Sequence, residues 1–294
     1  MSDVLATAAQ ADEVVNPRES RDGLPVPVQL FVGEVAVVSL SEGGELRPVD
    51  SPRPFAHPVI TLTGVAVTEI APADHLHHVG VSLAPADVDG TFYWGGRTYV
   101  RDVGSTMLDN HGRQHVRSSS VTPTSYTAEI EWRATPERLQ ATEQRQISVA
   151  PFADGWMLHW ASHLTPEAEL SLGSPATNGR PGAFYGGWFW RSSVAGAQAL
   201  VAEGEGEEVA HGSTSPWLAV RGGGFTLIAV RRGLVRPWFI RTGQYTGFGP
   251  ALAWEERLVL TPEAPLNLEI DTVVLDGERQ DSEIRSLAQE LLGA

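Results

Sequence analysis

The segment Arg138–Leu164, RLQATEQRQISVAPFADGWMLHWASHL, decides the reading of the fold. From Arg138 to Val149 alternate residues sort into two sets. Leu139, Ala141, Glu143, Arg145, Ile147 and Val149 share one side; Arg138, Gln140, Thr142, Gln144, Gln146 and Ser148 share the other. A two-residue period of this kind belongs to a β-strand with one face on a core and the other in water. From Gly155 to Leu164 the bulky face is Trp156, Leu158, Trp160 and Leu164, opposite Met157, His159, Ala161 and His163. Histidines four apart on a strand lie ~13 Å apart, so His159 and His163 are expected to make separate polar contacts. Glu143 and Arg145 fall on the apolar face, where a charge costs several kcal/mol unless it is paired or used. They predict either a structural ion pair or the floor of a polar site.

The same reading extends in both directions. Strands are predicted at Val26–Val32, Glu34–Leu40, His78–Leu83, Thr98–Val103 and Arg113–Ser119, and later at Trp217–Val220, Phe225–Arg231, Pro237–Arg241, Ala253–Leu260 and Leu266–Leu275. A helix begins near Ser282, with Ile284, Leu287, Ala288, Leu291 and Leu292 at helical spacing and Asp281 as its N-cap. Glu203–Glu208 reads as a solvated acidic loop. About fifteen short strands with one helix predict an all-β protein, a large antiparallel β-sandwich. Residues 1–24 are expected to form a flexible tail and residues 25–294 a single sandwich domain.

Composition excludes several chemistries. All 21 basic residues of the 294 are Arg, so Schiff-base chemistry and lysine-dependent nucleotide binding are ruled out, and no nucleotide cofactor is expected. Without Cys there is no thiol nucleophile and no zinc–thiolate site. A formal charge of −15 disfavours nucleic acid and anionic membranes as partners and points to a small neutral or cationic ligand. The N-terminus lacks a secretory signal pattern and no segment approaches the ~20 apolar residues of a membrane span, so a cytoplasmic location is expected. Both a monomer and a homo-oligomer fit the sequence.

The densest chemistry lies in Pro72–Trp94, PADHLHHVGVSLAPADVDGTFYW. Asp74, His75, His77 and His78 are followed by Asp87, Asp89 and an aromatic trio ending at Trp94. If the strand runs back through the cluster, His75 and His77 share a face about 6.5–7 Å apart, a spacing suited to a chelated divalent metal or an acid/base pair. A catalytic metal would need a third ligand from elsewhere. Arg53-Pro54-Phe55-Ala56-His57-Pro58 is held extended by its prolines and presents Arg53 and His57 towards the cluster. Further on, the loop containing Asn178 and Arg180 runs into Tyr185, Gly186-Gly187, Trp188, Trp190 and Arg191, and Arg236–Arg241 repeats that aromatic-plus-Arg character with Trp238 and Arg241. Flat aromatic faces beside Arg and Asn suit a sugar or another polyhydroxylated ligand.

Four ordered motifs, RPFAHPV (53–59), PADHLHHVGVSLAPADVDGTFYW (72–94), GSPATNGRPGAFYGGWFWR (173–191) and RPWFIRTGQYTGFGPALAWE (236–255), resemble the soluble PmoA family domain along residues 26–275. The likeness lies in a DHxHH motif, an aspartate-rich segment ending in Trp, a glycine–aromatic motif and a PWFxR segment. Val79-Gly80-Val81-Ser82 and His159 depart from the family's usual residues. The resemblance implies a galactose-mutarotase-like supersandwich and a carbohydrate setting, despite a name borrowed from a membrane copper enzyme. The expectation is an enzyme on a sugar or glycoside, including 3-keto derivatives. His75, His77, His78, Asp74 and Glu143 would serve acid/base or metal-assisted elimination or hydrolysis, with His75 and His77 as metal ligands. Substrate contacts would come from His57, Asp89, Trp94, Arg145, Asn178, Arg180, Tyr185, Trp188, Arg191, Trp238 and Arg241. Mutarotase activity and a non-catalytic sugar-binding module are the alternatives.

Overall fold

Where apolar residues recur at every second position along many segments, the chain buries them by stacking two sheets. A computed structural model describes residues 27–293. The expected tail, residues 1–24, lies outside the described residues. One sheet has seven strands in the spatial order Val28–Val32, Val35–Ser41, Phe55–Val59, Val81–Ala84, Gly187–Arg191, Gly247–Pro250 and Trp238–Arg241. A second has nine, ordered Gly204–Glu205, Gln198–Val201, Trp217–Gly222, Phe225–Arg232, Leu266–Asp276, Gly155–Pro166, Arg138–Phe152, Ser125–Thr135 and Arg113–Val121, and two small sheets of three and two strands complete the described residues. Every named strand pair is antiparallel. Trp188, Trp190, Trp238 and Phe248 of the first sheet share one buried cluster with Trp132, Ile147, Trp156 and Trp160 of the second. The molecule is thus the expected antiparallel sandwich with a C-terminal helix.

The segment that decides the fold behaves as its alternation predicts, with one interruption. Arg138–Phe152 and Gly155–Pro166 pair in register from Ala141↔Pro166 to Phe152↔Gly155. A bulge between Arg138 and Ala141 turns Gln140 inward beside Ala141. There its amide accepts from the Tyr93 hydroxyl at 2.7 Å and donates to the Val88 carbonyl at 3.1 Å. Ser125–Thr135, which the sequence reading left without a strand, fills the place between Arg138–Phe152 and Arg113–Val121.

Glu143 and Arg145 settle as an internal pair. Both are buried, and the guanidinium donates through Nε and Nη2 to the two carboxylate oxygens at 2.8 Å each. Trp132 Nε1 (2.9 Å) and Ser162 Oγ (2.6 Å) complete the shell of Glu143, while Arg145 reaches the Pro54 carbonyl and lies over the Trp160 ring. With every acceptor site of the carboxylate occupied, its desolvation is offset by charge-assisted bonds.

The helix Asp281–Gly293 buries Ile284, Ala288 and Leu291 against Leu200, Trp217, Ile228, Val230, Val273 and Leu275 on the outer face of the nine-stranded sheet. Full burial of an Ile or Leu is worth about 1.5–3 kcal/mol. Asp281 is the first residue of the helix, not a flanking cap, and pairs with Arg221 at 2.6 Å. Arg232 Nη2 donates to the Leu291 carbonyl at the other end (2.6 Å), where a cation suits the helix dipole. On the same outer face His159 meets Asp271 and His163 meets Asn267, each at 2.7 Å, the separate polar contacts expected. The segment Glu203–Glu208 is solvated as expected at Glu203, Glu205 and Glu208, but instead of a loop it forms a two-residue strand and enters a helical turn, Glu207–Ala210, where Glu207 accepts from Thr242 N at 2.7 Å. Among the described residues no helix is long and apolar enough to cross a membrane.

Candidate active site

The outer face of the seven-stranded sheet carries the histidines. The strand expected over His78–Leu83 starts only at Val81, and residues 72–78 do not continue it. Ile70 bridges Val79, Gly80 N bonds the Glu69 carbonyl, and successive turns close His75 N onto Pro72 O and His78 N onto His75 O. The left-handed φ of +44° at Gly80 lets the chain turn there, and a Cβ would meet the Ala56 carbonyl at 2.1 Å. Turns therefore gather three rings that a strand would have split between faces. His75 stacks on His78 at 4.6 Å between centroids, His77 meets His78 edge-on at 4.8 Å, and His75 and His77 are 5.8 Å apart.

Several elements hold this cluster in place. Arg53, buried, donates to the His77 carbonyl at 2.7 Å, to the Asp50 and Ser51 carbonyls and to Ser82 Oγ. Gly95 and Gly96, at φ +94° and +78°, lie so close to His77 that a Cβ on Gly96 would sit 2.8 Å from its Nδ1. His78 rests on Phe189 (5.1 Å), Trp94 (5.5 Å) and Tyr245 (5.5 Å). Arg191 supports it from within the fold: its guanidinium binds Glu69 through Nε and Nη2, lies 4.4 Å from the Tyr245 centroid, and places Nη1 3.4 Å from His78 Nδ1. Since Arg can only donate, that ring nitrogen is the acceptor and His78 carries its proton on Nε2.

A cavity of about 590 Å³ opens above the cluster, a size typical of small-molecule sites. Asp74, His75, His77, His78, Trp94, Arg180, Tyr185 and Arg241 line it, so these expected site residues are brought together. Arg97, Phe239, Gln244 and Tyr245 also line it and were missed. The signal for Tyr245 was its glycine-flanked place in Gly243-Gln244-Tyr245-Thr246-Gly247; Arg97 stood beside the Gly95-Gly96 turn.

Other expected contacts lie elsewhere. Strand alternation turns Trp188 and Trp238 into the sandwich core while their neighbours Phe189 and Phe239 face the histidines. Glu143 and Arg145 are in the core pair and do not line this cavity. Arg191 acts beneath it, as described. His57 turns to Thr68 Oγ1 at 3.0 Å, Asp89 accepts from Ser171 N, and Asn178 joins Asp87 and Arg257 in a separate network.

The electrostatics divide the three imidazoles. Burial pushes His77 down to about 3, with Arg53 and His75 adding to the effect, and holds His78 well below its ordinary value. Both are neutral at physiological pH. The His75 Nδ1 lies 2.8 Å from Asp74 Oδ2, and this hydrogen bond lowers the Asp74 carboxyl. A carboxylate on Nδ1 fixes the imidazole's tautomer and leaves Nε2 for proton transfer. His75 and His77 fall short of the three protein donors of a catalytic metal site, and among the described residues no group of three or more His, Asp or Glu side chains is placed to hold one ion. The cavity lining carries Arg97, Arg180 and Arg241 and, among the described lining residues, the one carboxylate Asp74.

A family model described as "Family of unknown function (DUF6807)" matches residues 27–289. The match carries that description and not the PmoA name. No curated protein matches the sequence. Among solved structures, one described as a "Putative aldose 1-epimerase" from Escherichia coli K12 is similar at 10% identity and a TM-score of 0.46, covering 85% of this chain and 99% of that one.

Proposed function

We propose that this chain, which belongs to the DUF6807 family, is an enzyme that moves a proton on a sugar or glycoside at the histidine cavity. The observation that carries the reading is the Asp74–His75 dyad beside two neutral imidazoles in an aromatic-walled cavity. Tyr185, Trp94 and Tyr245 offer apolar ring faces to the C–H faces of a sugar, and His77 supplies hydrogen bonding without charge. His75 takes or gives the proton. On a 3-keto sugar, the proton beside the carbonyl is acidified, and an Arg stabilises the enolate that forms as His75 removes it. On a free aldose, the same residue serves interconversion of anomers.

Hydrolysis by two carboxylates across the glycosidic bond is poorly served. Asp87 is bound by Arg257 and Asn178, Asp89 holds the Ser171 turn, Glu143 is in the core, and Asp74 is the one carboxylate among the described lining residues. Elimination or epimerisation is therefore the reading we favour. The test is a proton NMR time course with glucosides, their 3-keto derivatives and freshly dissolved anomers, run with EDTA and with added zinc. Conversion in the wild type that disappears in a folded His75→Gln variant supports the assignment. Conversion that survives in that variant removes His75 from the chemistry. Ligand line-broadening without any conversion points to a sugar-binding module.

A further inference from the structure

We infer that the sugar bound in the histidine cavity carries an anionic group, a carboxylate or a phosphate ester, recognised by Arg97, Arg180 and Arg241. The inference rests on the carbohydrate reading above and adds the substrate class. Arg97 is fixed on the rim, donating through Nη2 to the Ser105 carbonyl at 2.6 Å and through Nε to Ser105 Oγ at 3.2 Å. Arg180 is exposed and lies close enough to Tyr185 to interact with its hydroxyl. Neither forms an ion pair with a carboxylate among the described residues. Arg241 is tied to the Gly182 carbonyl at 3.0 Å and meets Glu207 at 3.4 Å.

Arg97 and Arg180 share one cavity with no carboxylate paired to either among the described residues, and Arg241, held by Glu207, lines the same cavity. Asp74 is already engaged by His75. An anion on the ligand supplies the missing charge, and the planar fork of Arg suits either a carboxylate or a phosphate. The acidic remainder of the surface repels ligands that are anionic and lack the sugar's apolar faces, so the ring contacts and the charge act together.

The test is calorimetric titration of the full-length protein at low salt with glucose, glucuronate, glucose 6-phosphate and inorganic phosphate, repeated in Arg97→Gln and Arg180→Gln. A charge-assisted contact is worth about 1.5–3 kcal/mol, so one of the anionic sugars should bind at least about tenfold tighter than glucose. The Arg variants should erase the margin of that anionic sugar over glucose measured in the same variant. Which of the two acids gains identifies the group. Equal binding of glucose and both acids, insensitive to the Arg changes, overturns the inference and leaves the sugar reading standing. Inorganic phosphate binding as tightly as the sugar phosphate, with glucose and glucuronate silent, overturns the inference by overturning the sugar reading itself.

Discussion

Replacing Arg145 with Met keeps the side chain's length and apolar stem but leaves Glu143 buried opposite nothing charged. The lost interactions are the two 2.8 Å bonds to the carboxylate, the 3.3 Å bonds to the Pro54 carbonyl and Gln114, and the contact with the Trp160 ring. Breaking one side of a buried pair costs about 3–5 kcal/mol. At about 2–4 °C per kcal/mol for a chain of this size, the melting temperature should fall by roughly 6–20 °C. Circular dichroism melts, checked against urea midpoints at constant slope, measure it. Most of the loss should be recovered in Glu143→Gln/Arg145→Met, because the amide oxygen can accept from Trp132, the amide N–H can donate to Ser162 Oγ, and the unpaired charge is gone. A fall of less than ~1 kcal/mol in the single variant would refute a core pair whose partners depend on each other.

Three further outcomes are expected. His77 and His78 have folded-state pKa values below the unfolded one of about 6.5, so the unfolded chain binds more protons; stability contributed by these groups is present above that pH and is lost on acidification, for His77 down towards about 3. Melting temperatures between pH 7 and 4 should show the decline, a His77→Asn variant should flatten it, and a ring that titrates near 6.5 by NMR would contradict it. Gly96→Ala should cost about 1–2 kcal/mol for its left-handed φ and move the His77 ring, seen as a changed imidazole resonance, whereas an unmoved ring would remove Gly96 from the site's support. Trp188→Ala should destabilise by about 3–5 kcal/mol through its core cavity, while Tyr185→Ala should weaken sugar binding with a much smaller change in melting temperature; the reverse pattern would mean the two faces are misassigned.

The sandwich was legible because its strands are long and one-sided: the alternation over Arg138–Val149 and Gly155–Leu164 reports burial directly. Ser125–Thr135 carried the same signal in Tyr126, Ala128, Ile130 and Trp132, all buried, and could have been found the same way. The bulge at Gln140 could not, since a polar residue turned inward is decided by partners more than forty residues away. For the site, the histidine cluster was visible as composition but its geometry was not. Turn formation at 72–78 depends on Arg53 and Gly95-Gly96 gripping it from elsewhere. In Trp188-Phe189-Trp190 both faces are apolar, so the pattern cannot say which ring looks at the ligand; the pairing with Val81–Ala84 and Gly247–Pro250 decides it.

That last strand has a consequence for how such a protein can change over time. Gly187–Arg191 gives Trp188 and Trp190 to the interior while Phe189 and Arg191 underlie the histidines, so one five-residue stretch is read in two interleaved frames. Point substitutions can alter either frame alone. Insertion or deletion of a single residue would exchange them, sending indoles into the ligand's space and a guanidinium into the interior. Variation at this face should therefore accumulate by replacement within a fixed length, and changes in loop length should be confined to the turns around it.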